Sequence, residues 1–363
     1  MPDPVVTVII ATYNRPEVLR CTLQSLRAQT YPAWTALVIG DACAEDTARV
    51  VGELADARIT YVNLASRCGD QSGPNSIGAA LAASPLLAFV NHDDLLLPDH
   101  LARTVARQQA TDADACVAAV VRARTIEEPG ASPRVVCLAA PLPQLTGRDV
   151  AVPSQTATFE PVSAWLFTTA FVRRVGDWAD AGSLYRTPFN DWLLRACAAG
   201  ARVVQSPAVS VVHMQVHYSA TSDAPLYASS AEAHAVVLEQ LLHDTPDAVR
   251  HAWERDATLE RQRLRRDRWR RFRAQPWRSQ GRQLWHAGLR ALGASGAPLL
   301  GTLLWLGRRV GFDGYDLWCA ALGRPRGFWR AAALRRRTGT TTHVPADRAA
   351  LLRDARQQLA AHA

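Results

Sequence analysis

Two adjacent carboxylates, Asp93 and Asp94, follow the apolar run Leu86 to Val90 in the stretch FVNHDDLLLP. Acids placed there serve a turn, a helix cap or a metal site. Asp41 closes a second apolar run, Ala36-Leu37-Val38-Ile39, at a strand-end turn. Asp191 follows Pro188-Phe189-Asn190 at the start of a helical pattern. A carboxylate in that place is favoured by the helix dipole, and it also suits a general base beside a hydroxyl. His213 and His217 come just after the apolar run Val209 to Val212. A lone histidine is either structural or a ligand.

The segments that must position these residues alternate in type. The β-branched run Val5 to Ile10 reads as a strand buried on both faces. Pro16 suits the first turn of a helix, which Leu19, Leu23 and Leu26 continue. Strands follow at 36–39, 59–62 and 86–90, with helices at about 47–54 and 75–83 between them. A polar Gly-bearing loop, Arg67 to Gly73, precedes the second of these helices. This βαβαβαβ order predicts a doubly wound α/β sheet, whose ligands sit outside the carboxyl ends of the strands. The loops 12–15, 41–47, 67–75 and 91–94 all fall at those ends. No GxGxxG follows the first strand, which weakens a dinucleotide-binding assignment. Further along, 116–121 reads as a strand, 127–156 as loop, 165–171 as strand then helix, 188–199 as a helix ending at Gly200, and 203–204 and 209–212 as strands.

ATYNR, Asp41 with Glu45-Asp46-Thr47, the loop Gly69 to Asn75, NHDD and FNDW stand in the order found in the inverting family 2 glycosyltransferases, which the chain resembles over residues 4–220. The resemblance implies a GT-A fold, a Rossmann-like and mostly parallel sheet with flanking helices. It implies binding of a nucleoside-diphosphate sugar by Thr12, Tyr13, Arg15, Asp41, Asn75, His92 and Asp93, with Asp41 pairing a uracil-like imide. It places a divalent cation, Mn2+ or Mg2+, on Asp93, with His217 as a further ligand. Asp191 is the implied catalytic base and Trp192 part of the acceptor floor. Hard cations favour oxygen ligands and neutralise charge on a departing diphosphate. The chain departs from the family pattern at Gly40, Pro74, Asn91 and Asn190. Those departures motivate an alternative: a catalytically weak nucleotide-sugar-binding subunit that recruits partners through its tail. A nucleotidyltransferase is disfavoured, since no Gly-rich, Lys-bearing phosphate loop exists.

The 363 residues carry a net charge of +8, unevenly placed. Residues 1–245 hold 17 Arg against 24 acids, a net −7, and residues 246–363 hold 24 Arg against 9 acids, a net +15. There is no Lys. Arg261 to Arg273 contains eight Arg with Trp269 and Phe272 among them, and seven of the eleven Trp lie after residue 245. Such a pattern suits an anionic membrane surface or a helical interaction domain, with nucleic acid third. The expected organisation is a GT-A domain at 1–227 followed by a mainly helical, Arg/Trp-rich region at 228–363. The seven scattered cysteines form no CxxC pair and suggest neither zinc nor a disulfide frame. The first residues lack a basic n-region and a cleavage site. Ala291 to Gly307 falls short of the roughly 20 apolar residues a spanning helix needs. The expected location is cytoplasmic, peripheral on the inner face of the plasma membrane, with a glycan or lipid-linked acceptor.

Overall fold

The computed structural model describes residues 5–126, 134–139, 161–181, 187–214, 230–253, 255 and 347–362. Its first half is the parallel sheet expected from the alternating runs. Strands β1 (Val6–Thr12), β2 (Trp34–Gly40), β3 (Ile59–Asn63) and β4 (Leu86–Asn91) lie in the order β3-β2-β1-β4, all parallel. Helices α1 (Pro16–Arg27), α2 (Glu45–Glu53) and α3 (Ser72–Leu81) make the crossovers. Pro16 opens α1, where its missing N–H costs nothing, and Leu19, Leu23 and Leu26 face the core. The small residues of α3 let it approach the sheet closely. A Cβ on Gly78 would lie 2.5 Å from Ile9 Cγ2.

The second half is mixed. It comprises β5 (Asp94–Leu96), α4 (His100–Thr111), β6 (Ala115–Ile126), β7 (Arg134–Ala139), β8 (Trp165–Thr168), α5 (Thr169–Val175), α6 (Pro188–Ala198) and β9 (Val203–Met214). The order continues β4-β8-β6-β9-β5, with β8 antiparallel to both neighbours, β9 parallel to β6 and β5 antiparallel to β9. Only His92 and Asp93 separate β4 from β5 in the chain, yet the two strands end opposite sides of this run. The sheet therefore curls back on itself, and the mouth of the curl lies at the carboxyl ends of β4, β6 and β9.

Two expectations about strands are corrected. Residues 134–139 form β7, paired antiparallel with β6, where loop was expected. The two short strands expected at 203–204 and 209–212 are one strand, β9, whose register against β6 shifts near Ala119.

The core under the junction of the two halves is aromatic. Phe89, Phe167, Trp178 and Trp192 meet mostly edge to face, with centroids 5.0–6.3 Å apart. Each such contact is worth about 0.5–1.5 kcal/mol beyond its buried area. Helix α7 (Ala231–His243) and the helical residues 246–253, α8, pack Val237, Leu241, Val249 and Trp253 against Leu95, Val121 and Val212. Helix α9 (Arg348–His362) buries Leu351 and Ala355 in the main core beside α3 and β3. These elements from beyond residue 228 are thus parts of the sheet domain. The Arg/Trp-rich stretch 261–329 lies outside the described residues. No helix among the described residues is long and apolar enough to cross a membrane.

Candidate functional site

The loops after β1 and β2 are tied together. Asp41 N–H donates to the Thr12 carbonyl at 2.9 Å, and Ala44 N–H donates to Asn14 Oδ1 at 2.8 Å. The Asp41 carboxylate, 4% exposed, accepts the N–H of Cys68 at 2.5 Å and of Gly69 at 2.9 Å. Gly69 has φ +84°, a conformation that costs a glycine nothing. So Asp41 shapes the Gly-bearing loop. Burial pushes its carboxyl up, against the two amides and Arg67, which pull it down, and the net position is above the ordinary value. The Arg67 guanidinium stacks 3.7 Å over the Tyr13 ring, with Nε 3.9 Å from Asp41 Oδ2.

One strand over, Arg15 Nη1 donates to Asp93 Oδ2 at 3.2 Å, joining the β1 loop to the turn after β4. The carbonyl of Asp93 lies 3.1 Å from Nε2 of buried His234 on α7, so that helix backs the turn. Burial lowers His92 below its ordinary value. Its Nδ1 and the Thr12 Oγ1 are both buried and unbonded among the described residues. Ala11 pairs with Asn91, so both orphans belong to neighbouring strand ends. Unsatisfied buried polar atoms of this kind call for a ligand or water.

Asp94 has a different task from Asp93. It does not cap a helix. It is fully buried and accepts Asn91 Nδ2 at 2.9 Å and Ser163 Oγ at 2.5 Å, with His213 Nδ1 at 2.8 Å. Asp99, just before α4, makes no side-chain cap bond either and pairs with Arg103 and Arg250.

Asp191 stands in the first turn of α6, whose N-cap Thr187 accepts the Asn190 N–H. One Asp191 oxygen accepts Arg195 Nε at 3.1 Å, and Arg195 also donates to the carbonyls of Val175 and Asp177. The connector that follows is stitched to α3: Trp178 N–H donates to Ser76 Oγ, and Ala181 N–H to Asp70 Oδ2. The helix bearing Asp191 therefore hangs from the Gly-bearing loop, although no bond among the described residues joins Asp191 to Asp93. Trp192 is corrected. It is fully buried in the aromatic core and its Nε1 donates to the Gly176 carbonyl at 2.7 Å, so it is not an acceptor floor. Asn75 is buried in the first turn of α3. His217 lies outside the described residues.

Ser163, His213 and Arg122 line the mouth of the curl. Ser163 and Arg122 had no signal in the sequence, because Ser163 reaches Asp94 from the short turn 162–164 and Arg122 meets His213 only through the register of β6 on β9. Among the described residues no three His, Cys, Asp or Glu converge on a metal position. Asp93 is one carboxylate, Asn91 spends its amide on Asp94, and Asp94 is saturated. That donor set fits a hard cation that takes its remaining oxygens from water and from a bound diphosphate.

Residues 7–171 match the family model described as glycosyl transferase family 2. The succinoglycan biosynthesis protein ExoO of Rhizobium meliloti (strain 1021) is 30% identical over 114 residues, 31% of this chain and 32% of that protein. The UDP-Glc:alpha-D-GlcNAc-diphosphoundecaprenol beta-1,3-glucosyltransferase WfaP of Escherichia coli is 27% identical over 89 residues, 24% of this chain and 35% of that protein. The chain thus spans about a third of the length of these curated relatives. The crystal structure of S. aureus TarS 1-349 in complex with UDP-GlcNAc aligns with TM-score 0.48 and 15% identity, over 65% of this chain and 70% of that one.

Proposed function

We propose, from the premise that residues 7–171 belong to glycosyl transferase family 2, that this chain moves a sugar from a nucleoside-diphosphate donor to an acceptor hydroxyl with inversion. The favoured donor carries uridine, and the favoured acceptor is a sugar on a lipid diphosphate, the chemistry printed in the name of the E. coli relative. The observation that carries this is the meeting, at the carboxyl ends of β1, β2 and β4, of the Arg15–Asp93 pair with the Asp41 cradle.

The residues divide the work. Tyr13 and Arg67 offer a stacked platform for the base. Each Asp41 oxygen accepts one amide and keeps a lone pair that suits an imide N–H. Arg15 sets a guanidinium where diphosphate oxygens gather. Asp93 would hold a divalent cation, Mn2+ or Mg2+, which neutralises charge on the departing diphosphate. Asp191 has one oxygen committed to Arg195. The other makes no hydrogen bond among the described residues and is suited to take the acceptor's proton. The acceptor oxygen bonds the anomeric carbon as the bond to diphosphate breaks on the opposite face, and the configuration inverts. An acceptor of this class would give the Arg/Trp-rich stretch a purpose at an anionic bilayer surface.

The test is transfer of labelled sugar from UDP-sugars to a polyprenyl-diphosphate sugar. Asp191→Asn should lower kcat about 10²–10⁴-fold with UDP binding intact. Unchanged turnover in that variant would remove Asp191 from catalysis. Absence of turnover in the wild type, with UDP bound, would favour a binding subunit.

A further inference from the structure

Three strands carry one row of polar side chains across the mouth of the curl. In the β5-β9-β6 order, Asp94 pairs with His213, and His213 pairs with Arg122. Their chain neighbours Leu95, Val121, Ala123, Val212 and Met214 belong to the apolar cluster under α7. Alternation along a strand therefore turns Asp94, His213 and Arg122 to the opposite face. The contact between Asp94 and His213 at 2.8 Å confirms that the row is continuous.

Arg122 ends this row, and among the described residues no hydrogen bond or ion pair of its side chain is found. Its Nε is buried and makes no hydrogen bond, and no carboxylate pairs with its guanidinium among the described residues. The nearest acid in the row, Asp94, is already engaged by His213, Ser163 and Asn91. Other half-buried or buried arginines of the domain do find partners. Arg15, Arg58 and Arg250 each reach a carboxylate at 3.2 Å or closer. A half-buried guanidinium whose buried Nε has no acceptor is a place for an anion.

The geometry points to a phosphate-binding subsite at Arg122, distinct from the one that the donor's diphosphate uses, for the phosphate of a lipid-diphosphate acceptor. The donor side has its own cations, Arg15 and Arg67, on the loops at β1 and β2. Arg122 lies on β6, beyond β4 and β8. That is two strand spacings from β4, about 10 Å along the sheet. An acceptor whose reacting hydroxyl is one sugar ring away from its diphosphate would span such a gap. This inference rests on the function proposed above for the identity of the acceptor. The anion subsite itself can be tested without it.

The experiment is calorimetric binding of inorganic pyrophosphate to protein saturated with UDP and magnesium, in wild type, Arg122→Gln and Arg122→Lys, with thermal melts to verify folding. Wild type should bind pyrophosphate alongside UDP. Arg122→Gln should weaken pyrophosphate at least tenfold and UDP less than twofold, and Arg122→Lys, which keeps the charge, should fall between. Equal losses for UDP and pyrophosphate would assign Arg122 to the donor and overturn the proposal. So would pyrophosphate binding that does not change in Arg122→Gln, or a UDP-saturated wild type that binds none. If wild type binds no UDP, the functional proposal fails. Pyrophosphate binding to the unliganded protein, lost in Arg122→Gln, would then still support the subsite, and its absence would overturn it.

Discussion

Asp93 and Asp94 are neighbours with opposite duties, and only their surroundings separate them. Asp93 faces Arg15 at the cleft, with 13% of its side chain exposed. Asp94 is closed off from solvent. Burial pushes the Asp94 carboxyl up, but His213, Ser163 and Asn91 more than offset it and hold the group below its ordinary value. Asp94→Asn removes the charge and turns one of the two acceptor oxygens into a donor, so either His213 or the Ser163 and Asn91 pair loses its acceptor. The expected cost is about 3 kcal/mol in urea unfolding, the penalty for breaking a buried pair. Asp93→Ala, at a partly open ion pair, should cost under about 1 kcal/mol. Equal costs would mean that Asp94 is not the structural member of the pair. Gly40, where the family resemblance leads one to expect an acid, has a similar local reason. A Cβ there would meet Asn63 Oδ1 and Tyr61 Oη at 2.6 Å, so those side chains have taken the space. The sequence brought Asp93 to the strand-end turn where Arg15 meets it, but misplaced Trp192. An indole beside a catalytic candidate reads as exposed, until the fold turns that face of α6 onto Phe89 and Phe167.

At the scale of elements, the strands of the parallel half were legible because each is a dense β-branched or apolar run with turn residues at its ends. β7 was not, since Pro129, Gly130 and Pro133 mark its approach as loop while pairing with β6 makes 134–139 a strand. β5 is three residues long and exists only because β9 lies beside it. The packing of α4 on β9 also makes a prediction about pH. His100 on α4 is 1% exposed, with Nδ1 2.8 Å from Ser210 Oγ on β9. Burial lowers its pKa to about 4, against an ordinary value near 6.5. The unfolded chain therefore binds a proton that the folded chain refuses between those values. Stability should fall as pH drops from about 6.5 to about 4, by up to about 3 kcal/mol. Urea midpoints across that range in wild type and His100→Gln would check this. The variant should lose the His100 share of the slope, and an unchanged slope would mean that another group titrates.

Across the whole molecule, the chain's two halves by charge are not its two halves by structure. Composition separates an Arg/Trp-rich region after about 228, yet α7 backs Asp93 through His234 and α9 packs beside α3 and β3. Gln358 pairs with the backbone of Asn63 at 3.1 and 2.8 Å, and the Asn63 side chain holds Cys43 just beyond Asp41. Arg348 reaches Asp180, Ser72 Oγ and the Trp178 carbonyl, joining the start of α3 to the connector before α6. The contacts of Gln358 and Arg348 bridge more than 150 positions in sequence, which no periodicity or composition can reveal. They make the loops around Asp41 and Asp93 a property of the assembled domain. The most direct test of that site is calorimetric binding of UDP, GDP, dTDP and CDP, with and without manganese, to wild type and Asp93→Ala. Metal-dependent binding of UDP that disappears in Asp93→Ala is the expected result. A well-folded protein that binds none of the four nucleotides, or binds UDP equally well without Asp93, would contradict it.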